Sequence, residues 1–232
     1  MGMFLRRGEA PHRTQLGDLE VGSTVKINVN GTPREFLVVH QGLPSSMYDA
    51  SCDGTWLLMK DCYESRAWNS SRVNKYESST IHSYLNSTFL DLFDSNIKDA
   101  IKQAKIPYRK NGGSGGTDQS GANGLSCKIF LLSGYEVGWT NSDNQYFPQD
   151  GAKLSYFESG KGTSANNKRI ANLNGSATNW GLRSPFIGNT DLVRYVSSNG
   201  SYSNEYTVNL LGIRPAFTLP STTIVGDDML IA

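Results

Sequence analysis

The chain has almost no excess of charge of either sign. Among its 232 residues, 22 Lys and Arg face 21 Asp and Glu, for a formal net charge of +1. A nucleic-acid partner is usually met with a clear basic surplus, so this balance argues against that class. Long apolar runs are missing too. No stretch of about 18 apolar residues occurs, so no membrane insertion is expected. The opening segment, Met1 to Arg13, is basic but lacks the apolar core of roughly 7–15 residues that marks a secretory signal. These absences lead us to expect a cytosolic product, or one that leaves the cell inside a particle. Cysteine is sparse: Cys52, Cys62 and Cys127 form no C-x-x-C pair, and an odd count does not suit a secreted disulfide framework. They are expected to be small buried hydrophobes, although Cys52 and Cys62 flank a strand-like segment and could pair. No motif links His12, His40 or His82 to a cysteine, which leaves a catalytic thiol without a base.

What the chain does have is glycine and tyrosine, 24 and 11 residues, against 8 prolines. With abundant Asn and Ser, this is the composition of tight turns and adaptable binding loops. Residues 23–29 alternate apolar and polar and predict a strand. Asn30-Gly31 predicts a hairpin returning over 33–40, and 55–59 predicts a third strand, so the N-terminal part is a small antiparallel β meander. Ser79 precedes Ile81, Tyr84, Leu85 and Phe89 at helical spacing. A second helix is expected over 94–104, with Ile97 and Ile101 inward and Asp94 or Ser95 as cap; Pro107 closes the helical region. Residues 111–124 predict a flexible glycine-rich loop. Beyond Cys127, short strand-like runs (127–133, 152–157, 168–173, 192–197, 205–210 and 213–219) alternate with turns such as Asn174-Gly175 and Asn199-Gly200. The expected class is α+β and loop-rich, with residues 1–17 an extension and 18–232 a single domain.

Three possible sites are set aside. The loop over 111–124 lacks the Lys and Ser or Thr spacing of a phosphate loop and leads into a strand rather than a helix. Trp139 to Asn144 clusters Asn141, Asp143 and Asn144, yet it has no second acidic ligand for calcium. Asp227 and Asp228 are adjacent, which suits a solvated turn better than a carboxylate pair. No metal site and no cofactor are expected. The five N-x-S/T sequons, at Asn30, Asn69, Asn86, Asn174 and Asn199, are what an Asn- and Ser-rich chain produces by chance.

Two motifs bracket the segment that carries a functional reading: Trp180-x-Leu182-Arg183-Ser184-Pro185 and Gly212-Ile213-Arg214-Pro215-Ala216-Phe217. Trp180, Leu182, Ile213 and Phe217 bring apolar bulk, Arg183 and Arg214 can bridge loop carbonyls or a carboxylate, and Pro185 and Pro215 stiffen exit turns. This pattern, with Tyr195-Val196 between, resembles a domain family of gut bacteria and their phages that includes variable proteins of diversity-generating retroelements. Ser79 to Asn86 and Phe130 to Glu136 are similar to that family as well, and the likeness runs from about residue 18 to 220. The resemblance implies a C-type lectin fold of the formylglycine-generating-enzyme-like subtype, used for protein or glycan recognition. In such systems an error-prone reverse transcriptase rewrites template adenines, and Asn codons changed at their first two bases never give Lys, Met, Gln, Glu or Trp. Between Phe186 and Leu211 only Glu205 belongs to that excluded set. The Glu-Pro-Asn, Gln-Pro-Asp and Trp-Asn-Asp motifs of calcium-dependent sugar binding do not occur. Formylglycine-generating relatives oxidise a cysteine with active-site cysteines, but no partner follows Cys127, so an enzyme is not expected.

The expectation is a ligand-binding protein with a variable region over about 179–211, carried by a phage tail in the virion or standing at a bacterial cell surface. Its partner would be a bacterial surface protein or glycan, with other tail proteins and a homo-oligomer as further possibilities. Aromatic residues among Ser, Gly and Asn are paratope chemistry, rigid area beside adaptable hydrogen bonding. The expected contact set is Asn179, Gly181, Phe186, Ile187, Asn189, Arg194, Tyr195, Ser197, Asn199, Ser201, Tyr202, Ser203, Asn204 and Tyr206. Trp180, Leu182, Arg183, Pro185, Val196, Gly212, Arg214, Pro215 and Phe217 would form the scaffold. A two-residue turn at Asn199-Gly200 would set Tyr195 opposite Asn204 and Arg194 opposite Glu205, and gather Tyr195, Ser197, Tyr202, Asn204 and Tyr206 on one exposed face.

Overall fold

Asn30 and Gly31 both take the left-handed backbone, at φ 51° and 69°, that a two-residue hairpin requires. Thr24–Val29 (β1) and Thr32–Gln41 (β2) pair antiparallel on either side, with Val25 opposite Phe36. Thr55–Met59 (β3) adds to β2 and is buried along its whole length. This is the expected meander. A computed structural model describes residues 13–231 of the chain, an α+β protein made mostly of short strands and loops.

Further strands in chain order are Ser65–Ala67 (β4), Ile129–Phe130 (β5), Trp180–Pro185 (β6), Leu192–Val196 (β7), Tyr202–Tyr206 (β8), Leu210–Gly212 (β9), Ala216–Leu219 (β10) and Leu230–Ile231 (β11). They form a six-stranded sheet in the order β11-β1-β2-β3-β10-β5 and a five-stranded sheet in the order β8-β7-β6-β9-β4. The C-terminal bracketing motif is shared between the two: Gly212 pairs with Trp180 in the smaller sheet, while Ala216 and Phe217 lie between β3 and β5 in the larger. That is why two motifs far apart in sequence behave as one scaffold. Trp180, Leu182, Val196 and Phe217 are fully buried in a common core.

Ser79 caps the helix Thr80–Tyr84 (α1), its side chain accepting from the His82 N–H, and helical turns continue to Leu92. The second helix, Ser95–Ala100 (α2), is shorter than expected. Ile101 is already its C-cap, and Ala104, the expected last residue, opens the strand Ala104–Ile106, which pairs with Leu125–Cys127, a long-range ladder that overrides local periodicity. Four other expectations are also corrected. Residues 152–157 bury Leu154 and Phe157 from turns and not from a strand, and only 172–173 of the run 168–173 is extended. The run 205–210 is split between the end of β8 and the start of β9 by a turn at Thr207. Residues 13–17 are part of the domain: Gln15 bridges Ile224, and Leu16 is wholly buried. Residues 1–12, with the rest of the expected extension and His12, lie outside the described residues.

One buried polar cluster anchors the fold. Arg183 donates two 2.6 Å hydrogen bonds to the Glu136 carboxylate and others to the carbonyls of Pro107, Leu131 and Asp150. Glu136 also accepts from the Tyr48 hydroxyl and the Ser133 N–H. Burial opposes the guanidinium charge, but the Glu136 carboxylate holds the Arg183 pKa above its ordinary value. Asp150, fully buried nearby, enters no ion pair among the described residues, and burial, only partly offset by Arg183 and by the Ser184 hydroxyl, pushes its carboxyl up to about 7. A raised folded-state pKa means that the native state holds a proton the unfolded chain has lost. The resulting stability is fully present below the unfolded pKa and is lost as pH rises through about 7. Between those limits the contribution should fall by up to about 1.4 kcal/mol per pH unit. Chemical denaturation of wild type and Asp150→Asn across pH 4 to 8 should therefore show this extra downward slope in wild type alone; parallel curves would refute it.

Candidate functional site

The segment from Phe186 to Tyr206 is a loop followed by the hairpin of β7 and β8. The loop is held from below by Asn74, a buried side chain without local partners of its own. Asn74 Nδ2 donates to the carbonyls of Asn189 (2.8 Å), Leu192 (2.7 Å) and Phe186 (3.4 Å), and its Oδ1 accepts from the Gly113 N–H at 2.8 Å. The glycine-rich stretch is thus not a flexible loop. Residues 117–119 pair with 108–110, and a Cβ at Gly113 would collide with the carbonyl oxygens of Phe186 and Asn189. Here glycine permits a close approach of two backbones, not mobility. Asn74→Ala should cost about 2 kcal/mol in denaturant unfolding, because it leaves the buried Gly113 N–H and the part-buried Asn189 carbonyl unpaired. A loss under about 0.5 kcal/mol would show that the loop holds itself.

The hairpin register differs by one residue from the expected one. β7 and β8 are joined through Ser197–Ser201 and not by a two-residue turn, so Arg194 lies opposite Asn204, Tyr195 opposite Ser203 and Val196 opposite Tyr202. The cause is Asn199, whose Oδ1 accepts from the Ser197 hydroxyl, the Ser201 hydroxyl and the Ser201 N–H at 2.6 to 3.0 Å. This internal network favours a wider loop, with only Gly200 at positive φ. Consequently Tyr195 and Tyr202 point to opposite faces, and the single tyrosine face does not form. Arg194 and Glu205 do not pair either.

Arg194 is a correction of a second kind. It was expected to contact ligand, but it is buried with its guanidinium 4.2 Å from the Phe147 ring centroid and 4.7 Å from that of Phe186. It donates to Asn204 Oδ1 at 2.6 Å and to Asn144 Oδ1 at 2.7 Å, and among the described residues no carboxylate pairs with it. Burial draws its pKa down to about 10. Asn144 Oδ1 is therefore occupied by a cation, and Asp143 Oδ2 by the Thr140 N–H. No group of three His, Cys, Asp or Glu placed for a metal occurs among the described residues. Gly181 is also buried, beside Leu211 and Trp68.

The remaining expected contacts reach the surface to differing degrees. Asn179, Asn199 and Tyr206 are exposed, while Phe186, Ile187, Asn189, Tyr195, Ser197, Ser201, Tyr202, Ser203 and Asn204 are half-buried. Around them stand residues that sequence reasoning missed. Tyr146, 38% exposed, packs its ring 4.7 Å from that of Phe186. Arg72 lies 4.2 Å from the Tyr206 centroid and 3.9 Å from Asp191, beside exposed Val73. Tyr146 sits in an Asn- and Ser-rich run, the same compositional signal that marked 186–206, and could have been found by it. Arg72, Val73 and Asn74 sit in the run Asn69-Ser-Ser-Arg-Val-Asn74, which carries the same signal and was overlooked.

A family model described as "Domain of unknown function (DUF6273)" matches residues 53–221. The chain belongs to this family. The matched span begins just before β3 and takes in the whole five-stranded sheet, Asn74, the glycine-rich stretch and both bracketing motifs; β1, β2 and β11 lie outside it. No curated protein and no solved structure matches the chain.

The three cysteines are free and buried, so the possible Cys52–Cys62 pair does not form. Burial pushes the thiols up, Cys52 to about 11 and Cys62 and Cys127 to about 12. Such thiols stay protonated at neutral pH and are poor nucleophiles. Asp227 and Asp228 lie in an exposed turn. No helix among the described residues is long and apolar enough to cross a membrane.

Proposed function

We propose that this protein binds a ligand through a changeable surface over about 179–211, carried on a C-type lectin fold of the formylglycine-generating-enzyme-like subtype. One observation carries the reading. The loop at 186–192 is held by buried Asn74 and Gly113 through main-chain atoms, while Tyr146, Phe186, Ile187 and Tyr206 give aromatic and aliphatic area at the surface. The ligand is a bacterial surface protein or glycan, and the protein is a variable protein of a diversity-generating retroelement at a phage tail tip, in company with other tail proteins or further copies of itself. Glu205, the one residue between Phe186 and Leu211 that a rewritten Asn codon cannot give, is consistent with a position left undiversified: its carboxylate accepts from the Tyr206 N–H and Asn209 Nδ2, a structural task. The raised thiol pKa values favour recognition over cysteine oxidation.

The test is binding of labelled protein to host cells. Ile187→Ser and Tyr206→Ala should each weaken binding about tenfold or more, with stability changed by under about 0.5 kcal/mol. Unchanged binding by two folded variants would sink the surface. The retroelement is tested separately, by a template repeat matching codons 179–211 and a reverse-transcriptase gene beside this one. Their absence would leave a bacterial adhesin of the same fold as the surviving reading.

A further inference from the structure

Where β7 turns into β8, Trp139, Lys161, Asn166, Ser201 and Tyr202 line a cavity of about 340 Å³. One wall is aromatic. The Trp139 and Tyr202 rings meet edge to face with centroids 5.4 Å apart, and the Tyr202 hydroxyl is fixed on the Asp143 carbonyl at 3.0 Å. The rest is polar, from the Asn166 amide, the Ser201 hydroxyl and the Lys161 ammonium 5.3 Å from the Tyr202 centroid. The indole N–H of buried Trp139 finds no acceptor among the described residues. A buried donor left unpaired asks for a partner from outside.

The charge around this cavity is unbalanced. Arg169 lies 4.2 Å from the Trp139 centroid and Arg194 lies 5.7 Å from that of Tyr202. Among the described residues, neither these two nor Lys161 enters an ion pair. The carboxylates in electrostatic reach of Arg169 are Asp143 and Glu158. The first accepts from the Thr140 N–H at 2.9 Å, and the second lies 3.4 Å from Lys168. Arg169 and Arg194 are buried behind the aromatic wall, so Lys161 is the one cation that lines the void, and no carboxylate lines it.

We infer that this cavity binds an organic carboxylate, its C–H skeleton against Tyr202, its acid group on Lys161 and its other polar groups on Asn166 and Ser201. The volume sits at the small end of ligand sites and suits one sugar- or amino-acid-sized unit. A sugar acid and an acidic amino acid share this chemistry. A bare phosphate fits less well, since such ions are gripped by guanidinium forks or rows of backbone N–H groups, whereas the rim here offers one ammonium above a ring. The inference extends the binding reading to a second site, at the turn of the hairpin. It shares only Ser201 and Tyr202 with the outer surface.

Calorimetric titration of the full chain with sodium galacturonate, N-acetylglutamate, galactose and inorganic phosphate tests it. One of the two acids should bind in the millimolar range, with galactose and phosphate at least about tenfold weaker; which acid binds identifies the source. Lys161→Gln and Tyr202→Ala should each weaken that binding about tenfold, Lys161→Arg should keep it, and Tyr206→Ala should leave it unchanged. Binding of neither acid overturns the inference, as does equal binding of galactose or phosphate, or indifference to Lys161→Gln in a protein that melts normally. Loss of cell binding in Tyr206→Ala with acid binding intact separates a failure here from a failure of the outer surface.

Discussion

Arg183→Met is expected to destabilise the protein by about 3–5 kcal/mol, measured by chemical denaturation at neutral pH. The guanidinium satisfies the Glu136 carboxylate at two points and three backbone carbonyls besides. Methionine fills a similar volume but offers no donor, so Glu136 keeps only Tyr48 and Ser133 for partners and loses its counter-ion in the interior. The larger part of the loss is the cost of a buried carboxyl left without its partner, and not the attraction itself. Adding Glu136→Gln to Arg183→Met should therefore recover part of it. A double variant worse than the single one would show that Glu136 is stabilised by groups other than Arg183.

Trp180→Ala is expected to cost a similar amount, about 3–5 kcal/mol, as buried aromatic truncations do. Trp180 has no exposed surface, its indole N–H donates to the Arg169 carbonyl at 2.9 Å, and Arg214 lies 4.9 Å from its ring centroid. It also sits where β6 meets both β7 and β9, so its cavity would open between three strands. Arg214, which donates to the Met59 and Lys60 carbonyls, would lose the ring that covers it. Trp180→Phe should restore most of the stability by refilling the space, while the Arg169 carbonyl remains unpaired. Denaturation midpoints of wild type, Phe and Ala variants that fall together would place this residue at the periphery of the core.

The scaffold was legible because its signals are local or compositional. The Asn30-Gly31 and Asn174-Gly175 turns form as expected, with both residues of each pair at positive φ, and Ser79 caps α1. The apolar residues of both bracketing motifs are buried. The failures share a cause, a partner distant in sequence. Ala104 belongs to a ladder with Cys127, and Gly113 lies against Asn189. Asn199-Gly200 looked identical to the two true hairpin turns. Its Ser neighbours supplied hydroxyls that Asn199 could accept from, which favoured a wider loop and moved every pairing by one. In a strand such a slip exchanges the faces of one strand relative to the other, so the predicted contact set lost its common side. Arg194 showed no sign in sequence of being interior, since its enclosing rings come from Phe147 and Phe186.

The grip of Asn74 has a consequence for how this surface can change over generations. It touches only main-chain oxygens and one main-chain N–H, atoms that every residue but proline supplies alike. Substitutions at Ile187 should therefore need no compensating change at the anchor, whereas the Asn189 side chain also accepts from the Asp191 N–H at 2.9 Å and is less free. Asn204 obeys a different rule. Its side-chain oxygen holds Arg194, so its mutational history is tied to that of a residue on the neighbouring strand. Within one short hairpin and its loop, some positions are free to drift alone and others drift only in company.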